Sequence, residues 1–437
     1  MSADIFAPGF KTDPYWWEAA PRPQAPAKPL PAEADVVIVG SGYTGTSAAL
    51  TLARAGRGVL LLDAEDPGYG ASSRNAGYVG RTLWHKFEAL GSKFGKDVSE
   101  DLAGQAVEAH NFVVNLIEKE QIRCYFNYCS RFIAAYTPSH YKKLAKDYAK
   151  LQEAGIEMNV EMVPREQQRS EIGSDRYYGG MLLHGTGTVH PGLYHLGLLE
   201  RAAGSGAEVH GRTKVTNIVR DADNRFTVTT SRGTVKAKDV IVATCGYSGP
   251  EVKWFQRRIL PIRLFQIATE PLPKEMLDRL IPRGRALLDS KTNIYWFRRS
   301  PDGTCLIVGG KTGVEEGGLT GKARSLHRAM VEVFPELKDV KLTHCWEGQT
   351  GFSFDELPHI GTHDGVHYAM GYCGVGMPMG TYLGHKVGLK VLGKPEGKTP
   401  FDGRPFPSRP YYWGKPWFLP IVMAYYNLMD WWDRVRG

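Results

Sequence analysis

The residues that first suggest chemistry are three glycines. Gly40-Ser41-Gly42-Tyr43-Thr44-Gly45 carries glycine at the first, third and sixth positions of a short run. The first glycine permits a tight turn, the second lets backbone approach a phosphate, and the third lets a helix close on a strand. Just upstream, Asp35-Val36-Val37-Ile38-Val39 is an apolar run suited to a strand buried on both faces. Downstream, Thr46 to Ala55 reads as a helix, whose N-terminal N–H groups and dipole stabilise a pyrophosphate. Val59 to Leu62 reads as a second strand closing on Asp63, whose carboxylate can accept hydrogen bonds from ribose hydroxyls. This βαβ unit predicts a dinucleotide site on Gly40, Gly42, Tyr43, Thr44, Gly45 and Asp63.

The rest of the chain must supply the frame. Glu88 to Gln121 reads as helical, and Arg123 to Gly180 as an aromatic-rich, alternating stretch. A second αβ block follows, with a helix over Leu193 to Ala203 and a buried strand over Asp239 to Thr244. Leu264 to Thr269, Ile294 to Phe297 and Thr304 to Val308 read as antiparallel β. The two characters interleave. The expected class is α/β: a Rossmann-type domain from residues 30–120, 180–255 and 343–395, interleaved with a second domain of antiparallel sheet plus helices from 121–179 and 256–342. Residues 396–437 form an aromatic tail helix.

Composition narrows the class. With 42% hydrophobic and 23% charged residues among 437, the chain can bury a full core, which excludes disorder as its main state. A net charge of +8 without a dense Lys/Arg run reads as solubility rather than a nucleic-acid partner. Six cysteines without a C-x-x-C pair read as reduced thiols, and no basic start with an apolar run opens the chain, so the expected location is cytoplasmic. His184, His190 and His195 match no common ligand spacing, so no metal is expected.

Several segments resemble one enzyme superfamily. Gly70-Ala71-Ser72-Ser73-Arg74-Asn75, the Tyr15-Trp16-Trp17 lead-in, Val189-His190-Pro191 and Ala243-Thr244-Cys245-Gly246 resemble the glycine oxidase/D-amino acid oxidase superfamily of FAD enzymes. Leu357-Pro358-His359-Ile360-Gly361 and Gly371-Tyr372-Cys373-Gly374-Val375-Gly376 complete the pattern, which looks most like the gamma-glutamylputrescine oxidase group. The resemblance implies FAD held also by Ala71, Ser72, Arg74, Asn75, Gly77, Val215, Ala243, Thr244 and Gly246, with Gly371, Gly374, Val375, Gly376 and Met377 at the flavin's pyrimidine edge.

Two departures bear on the substrate. Sarcosine oxidases place a carboxylate-gripping Lys after the last motif, where this chain has Met377-Pro378-Met379. That disfavours an α-amino acid and favours a simple amine. Cys345 stands near the cysteine that bonds flavin covalently in sarcosine oxidases, but Trp346-Glu347-Gly348 follows it, so FAD is expected to be non-covalent. Tyr295, Trp296 and Met377 are candidates for the substrate wall, and Arg298 for an anionic part of the substrate.

The expected reaction is oxidation of a primary or secondary amine by hydride transfer to flavin N5, the imine then hydrolysing, with oxygen or another acceptor taking the electrons. No catalytic acid or base is identifiable. The alternatives are a 2-hydroxy acid or amino acid dehydrogenase with a non-oxygen acceptor, and a tRNA-modifying flavoenzyme. In the tail, Ile421, Tyr425, Leu428, Trp432 and Val435 form a helical stripe. It reads as packing on the body or a second subunit in preference to peripheral membrane contact.

Overall fold

A computed structural model describes residues 4–24, 28–83, 87–153, 159–310 and 317–436. Of the extended lead-in expected over Pro21 to Pro31, residues 25–27 lie outside the described ones. Two large sheets organise the chain. The first contains eight strands, with Glu33–Val39 paired in parallel to Val59–Leu62 on one side and to Gly233–Val242 on the other. Glu208–His210 extends it beyond Val59–Leu62, and Val366–Met370 joins in parallel at the end of Gly233–Val242. Its central strands are apolar where they are buried, at Val36–Val39, Val59–Leu62 and Val240–Val242, because helices cover one face and a meander, Val215–Arg220 and Phe226–Thr230, folds beside them.

The second sheet has nine strands in the order Phe6–Lys11, Leu342–Ser353, Ile259–Thr269, Leu306–Gly310, Tyr295–Arg299, Ala286–Asp289, Arg131–Ala134, Gly180–Leu183 and Val160–Val163. Most pairs are antiparallel. One face packs on the Gly318–Val333 helix, burying Phe132, Leu287, Phe297, Ile267 and Val308 in a single core. On the opposite face, Gln266 and Trp346 donate to the Arg74 carbonyl of the 70–77 loop.

The structure refines three expectations. Gly180–Leu183 and Leu342–Ser353 belong to the nine-stranded sheet, although they fall in or across the segments expected to form the Rossmann-type domain. The helical region over Glu88 to Gln121 is two helices, Phe87–Phe94 and Lys96–Lys119, broken where Gly95 takes a φ of 86°. The aromatic stretch after Arg123 contains a helix, Pro138–Glu153, whose charged outer positions obscured its period.

Candidate active site

The glycine turn has the shape that a dinucleotide requires. Gly40 sits at φ +100°, and a Cβ there would lie 3.0 Å from the Ala243 carbonyl oxygen. A Cβ on Gly45 would lie 1.8 Å from the Gly40 carbonyl, so any other residue would push the Tyr43–Arg54 helix off the strand. Gly42 caps that helix without a side chain, leaving first-turn N–H groups for phosphate oxygens. Tyr43 N–H donates to Ser72 Oγ at 2.9 Å and fastens the turn to the 70–77 loop. Asp63 accepts from the Ser41 N–H (2.9 Å), the Ser41 hydroxyl (2.5 Å) and the Glu65 N–H (3.1 Å). Burial nonetheless raises its pKa, and one acceptor site remains for a ribose hydroxyl. Its carbonyl receives the Thr213 N–H at 2.7 Å, which brings Val215 to the same end of the site.

A second helix begins beside the first. Gly371 and Gly374, both at positive φ, turn the chain into Gly376–Val391. That helix runs in the same direction as Tyr43–Arg54, with Gly380 and Gly384 against Thr44 and Gly388 against Thr51. Thr44 Oγ1 and Tyr372 Oη share a hydrogen bond of 2.7 Å. Two positive helix ends are thus available to anionic parts of a cofactor. Gly246, in a turn with Ala243 and Thr244, packs so closely on Thr350 and Gly351 that a Cβ would meet backbone at 2.9 Å.

The 70–77 loop, with Ala71 and Ser72 in a short 3-10 turn, uses its polar groups internally. Arg74 was expected to offer donors to a ligand. Instead its Nε donates to the Tyr69 carbonyl (2.6 Å) and its Nη1 to the Glu347 carbonyl (3.1 Å), with Trp17 and Tyr69 against its guanidinium. Asn75 donates to Tyr43 Oη and the Ala71 carbonyl and accepts from the Gly77 N–H. Trp16, fully buried, and Trp17, which donates to Ser73 Oγ at 2.9 Å, bolt the N-terminal segment over this loop.

Strand alternation sorts the remaining candidates. Trp296 pairs with Gly309, beside Gln266 and Trp346, and these last two donate to the Arg74 carbonyl. Trp296 therefore lies on the face toward the loop, and Tyr295 does not. Tyr295 packs on the opposite core and lines a small pocket with Asn427 and Trp431. Arg298 shares the Trp296 face but is engaged: its Nη1 donates to the Ala76 and Val189 carbonyls, both at 2.8 Å, and its Nε to the Arg299 carbonyl. It joins two segments rather than waiting for a substrate. Met377 is buried in the helical core, and its neighbour Pro378 meets the cavity instead. Cys345 points into the core beneath the Gly318–Val333 helix, where burial pushes its thiol up to about 12. That places its sulfur on the side away from the loop.

Two of the three clustered histidines, His190 and His195, have structural tasks. His190 caps the Pro191–Gly204 helix by accepting from the Leu193 N–H. His195 is completely buried, held between Arg22 Nη1 (3.2 Å) and the Ser41 carbonyl (2.6 Å), and burial holds it neutral with a pKa lowered to about 3. Among the described residues no group of three His, Cys, Asp or Glu could hold a metal.

Sequence reasoning missed the cavity beside this site. It measures about 1440 Å³ and runs from Gly374, Val375 and Pro378 past Leu260 and Phe352 to Arg131 and to the tail helix Leu419–Arg436. The tail closes one side with Val422, Met423 and Tyr426. It is fixed there by Asp430, which accepts from the Thr292 and Asn293 N–H groups (2.7 and 3.0 Å), and by Asp433 against His140 at 3.2 Å. The stripe of Ile421, Tyr425, Leu428, Trp432 and Val435, expected to pack on the body or a second subunit, does not pack on the body: it is exposed, and the face that walls the cavity is another, whose partners lie far away in sequence.

The model of the family of FAD dependent oxidoreductases matches residues 35–388. The chain belongs to that family. It is 31% identical over 397 residues to the probable oxidoreductase OrdL of Rhizobium meliloti, covering 89% of each chain. It is 29% identical over 404 residues to the gamma-glutamylputrescine oxidoreductase of Escherichia coli, covering 91% of this chain and 92% of that one. Among solved structures, glycine oxidase from Geobacillus kaustophilus superposes with a TM-score of 0.69 at 21% identity, over 87% of this chain and all of that one. The fold is thus that of the glycine oxidase type, and the chain is an FAD-dependent oxidoreductase. The cradle of Gly40, Gly42 and Gly45, which Cβ atoms would fill, fits that cofactor.

Proposed function

We propose that the chain oxidises a primary or secondary amine, with FAD held non-covalently by the glycine turns and the 70–77 loop. Bound FAD supplies the two-electron acceptor for a C–H bond next to nitrogen. The observation that carries the reading is the apolar wall where the cavity meets the second helix: Val375, Pro378, Leu260 and Phe352. Such a wall desolvates an alkylammonium and favours the neutral amine, the form that can lose electrons. Arg298 is held by carbonyls and Met377 lies in the core, so neither places a cation against a carboxylate on the reacting carbon. The likeness to gamma-glutamylputrescine oxidoreductase supports the same choice. Mixing the holoenzyme anaerobically with amines, amino acids and hydroxy acids tests it. Bleaching of the flavin by an amine is expected, and bleaching by hydroxy acids alone would overturn the reading. The rate of recolouring in air then separates oxygen from another acceptor.

The tail's outer face favours peripheral membrane contact as a second property. Trp413, Trp417, Ile421, Tyr425, Leu428, Trp431 and Val435 are all exposed, with Ile421 67% exposed. Asp430 and Asp433 point inward and Arg434 lies 4.0 Å from Glu332, so the outer stripe is chiefly aromatic and aliphatic, with Lys415 exposed beside it. That composition suits an anionic bilayer surface. No described helix is long and apolar enough to cross a membrane. Flotation with phosphatidylglycerol vesicles is expected, and its abolition by W417S/I421S/L428S is the check. Concentration-dependent dimers without flotation would instead assign the stripe to a second copy.

A further inference from the structure

The stretch from Phe6 to Arg22 passes from one sheet to the other. Its strand, Phe6–Lys11, lies at the edge of the nine-stranded sheet, against Leu342–Ser353. Beyond Trp16 and Trp17 the chain meets the start of the Pro191–Gly204 helix, where Gly192 leaves room for it. A Cβ on Gly192 would lie 3.0 Å from Ala20 Cβ and 3.3 Å from the Trp16 carbonyl oxygen. Arg22 then turns inward. Its Nη2 donates to the Ala20 and Gly192 carbonyls (2.6 and 3.4 Å), and its Nη1 lies 3.2 Å from His195 Nδ1. Burial lowers this guanidinium to about 10, and the groups acting on it, Tyr43 and Arg74, include no carboxylate.

These contacts fix one tautomer of His195. A guanidinium can only donate, so Nδ1 must accept and the ring proton sits on Nε2. That N–H donates to the Ser41 carbonyl at 2.6 Å. Gly68 lies flush on the ring: a Cβ there would fall 2.2 Å from His195 Cε1. Ser41, fully buried between the first two fingerprint glycines, is engaged on every side. Its carbonyl also receives the Thr46 hydroxyl (2.9 Å), and its own hydroxyl accepts the Gly68 N–H (3.0 Å). Its N–H and hydroxyl both donate to one oxygen of Asp63. A displaced Ser41 therefore carries two of the donors that aim Asp63 away from it. Because burial opposes the ionised form of Asp63, those donors need a firm backing.

We infer that Arg22 and His195 are positioning residues for the cofactor: through Ser41 they hold the Asp63 carboxylate toward the adenosine ribose, which makes the N-terminal segment part of the FAD site. The inference rests on the FAD assignment and not on the amine reading. Arg22 and His195 stand 173 residues apart, so no local motif joins them.

Diluting the holoenzyme while following flavin fluorescence gives the affinity for FAD. Repeating it with FAD that lacks the adenosine 2′ and 3′ hydroxyls isolates the ribose contact. Wild type should hold FAD about 10- to 100-fold more tightly than the dideoxy flavin, as for hydrogen bonds to a charged group. Arg22→Met should weaken FAD by about 10-fold but the dideoxy flavin by less than about 2-fold, because the positioned contact is missing from the second complex. Arg22→Lys should recover part of the loss. His195→Gln, whose amide can still donate to the Ser41 carbonyl and accept from Arg22, should stay within about 3-fold of wild type, whereas His195→Leu should match Arg22→Met. Equal weakening of both flavins in Arg22→Met would mark a general loosening of the cradle and overturns the positioning role. Equal affinity of wild type for the two flavins overturns it as well, since no ribose contact would then exist to be positioned. If Arg22→Met does not fold, Arg22→Gln carries the same expectation. No turnover is involved, so failure here leaves the amine reading standing, and failure of that reading leaves this one.

Discussion

Substituting Gly384 with alanine tests whether the cofactor site depends on the contact between its two helices. A Cβ there would lie 2.3 Å from the Thr44 carbonyl oxygen and 2.9 Å from Thr44 Cα, both backbone atoms that no rotamer can move aside. An ordinary contact begins at 3.4 Å, so the helices must separate by about 1 Å at this point. Overpacking of that kind costs about 1–3 kcal/mol. Thr44 lies within the glycine fingerprint, in the first turn of the Tyr43–Arg54 helix, so the displacement falls on the N–H groups that would hold the pyrophosphate. If the cost is borne by the cofactor-bound geometry, FAD affinity falls by about 5- to 150-fold, since about 1.4 kcal/mol is tenfold. Reconstitution of apoprotein followed by flavin fluorescence, with melting of apo and holo forms, measures both terms. Gly388→Ala is the internal control, because its Cβ would meet the Thr51 side chain at 3.0 Å and should cost less. An unchanged FAD affinity and melting temperature in Gly384→Ala would refute the coupling of helix contact to cofactor binding.

Asp289 is buried with one oxygen on the Tyr295 N–H and the other unpartnered among the described residues, and burial raises its pKa to about 7. The folded state then holds a proton that the unfolded chain releases near pH 4, so stability falls by up to ~1.4 kcal/mol per pH unit between about pH 4 and 7. Asp289→Asn should flatten that slope in urea melts across the same window. Arg298→Met should strand the Ala76 and Val189 carbonyls and lower stability by about 2–4 kcal/mol in denaturant unfolding, with FAD retention falling alongside. Because Cys345 points into the core, acid precipitation should leave all the yellow colour in the supernatant, for wild type and Cys345→Ala alike.

What was legible in the sequence was local. The glycine fingerprint, its strand, its helix and Asp63 lie within 33–63, and each acts on its immediate neighbours, so type and spacing suffice. Arg74 and Asn75 were read as donors to a ligand; in the fold, Arg74 Nε and Nη1 and the Asn75 amide donate within the protein, to partners that include the Glu347 carbonyl and Tyr43 Oη, distant in sequence. Tyr295 and Trp296 were taken together as a wall, although adjacent strand residues face opposite ways. The strand itself was predicted, and with it the alternation could have chosen between them. The direction of the core needed the Gly318–Val333 helix, which no local pattern placed behind that sheet. Gly380, Gly384 and Gly388, at intervals of four, were a readable signal of close helix contact that went unused.

The substrate side was hidden for a stronger reason than distance alone. Its cavity draws on the Lys96–Lys119 helix, the Arg131–Ala134 strand, the turn before Gly376 and the tail helix, four segments with no shared motif. A charged residue such as Arg131 opening a strand looks, in sequence, like any solvated cation. What marks it is a deficit: a guanidinium packed against Gly80 whose Nε has no partner among the described residues. Deficits of this kind are a property of the assembled fold, because every potential partner must be located before its absence means anything. The same logic applies to the tail, where the inward aspartates Asp430 and Asp433 leave an outer face of exposed aromatic and aliphatic side chains. In both places, specificity is written in what the folded chain leaves uncompensated, whereas the cofactor site is written in what it supplies.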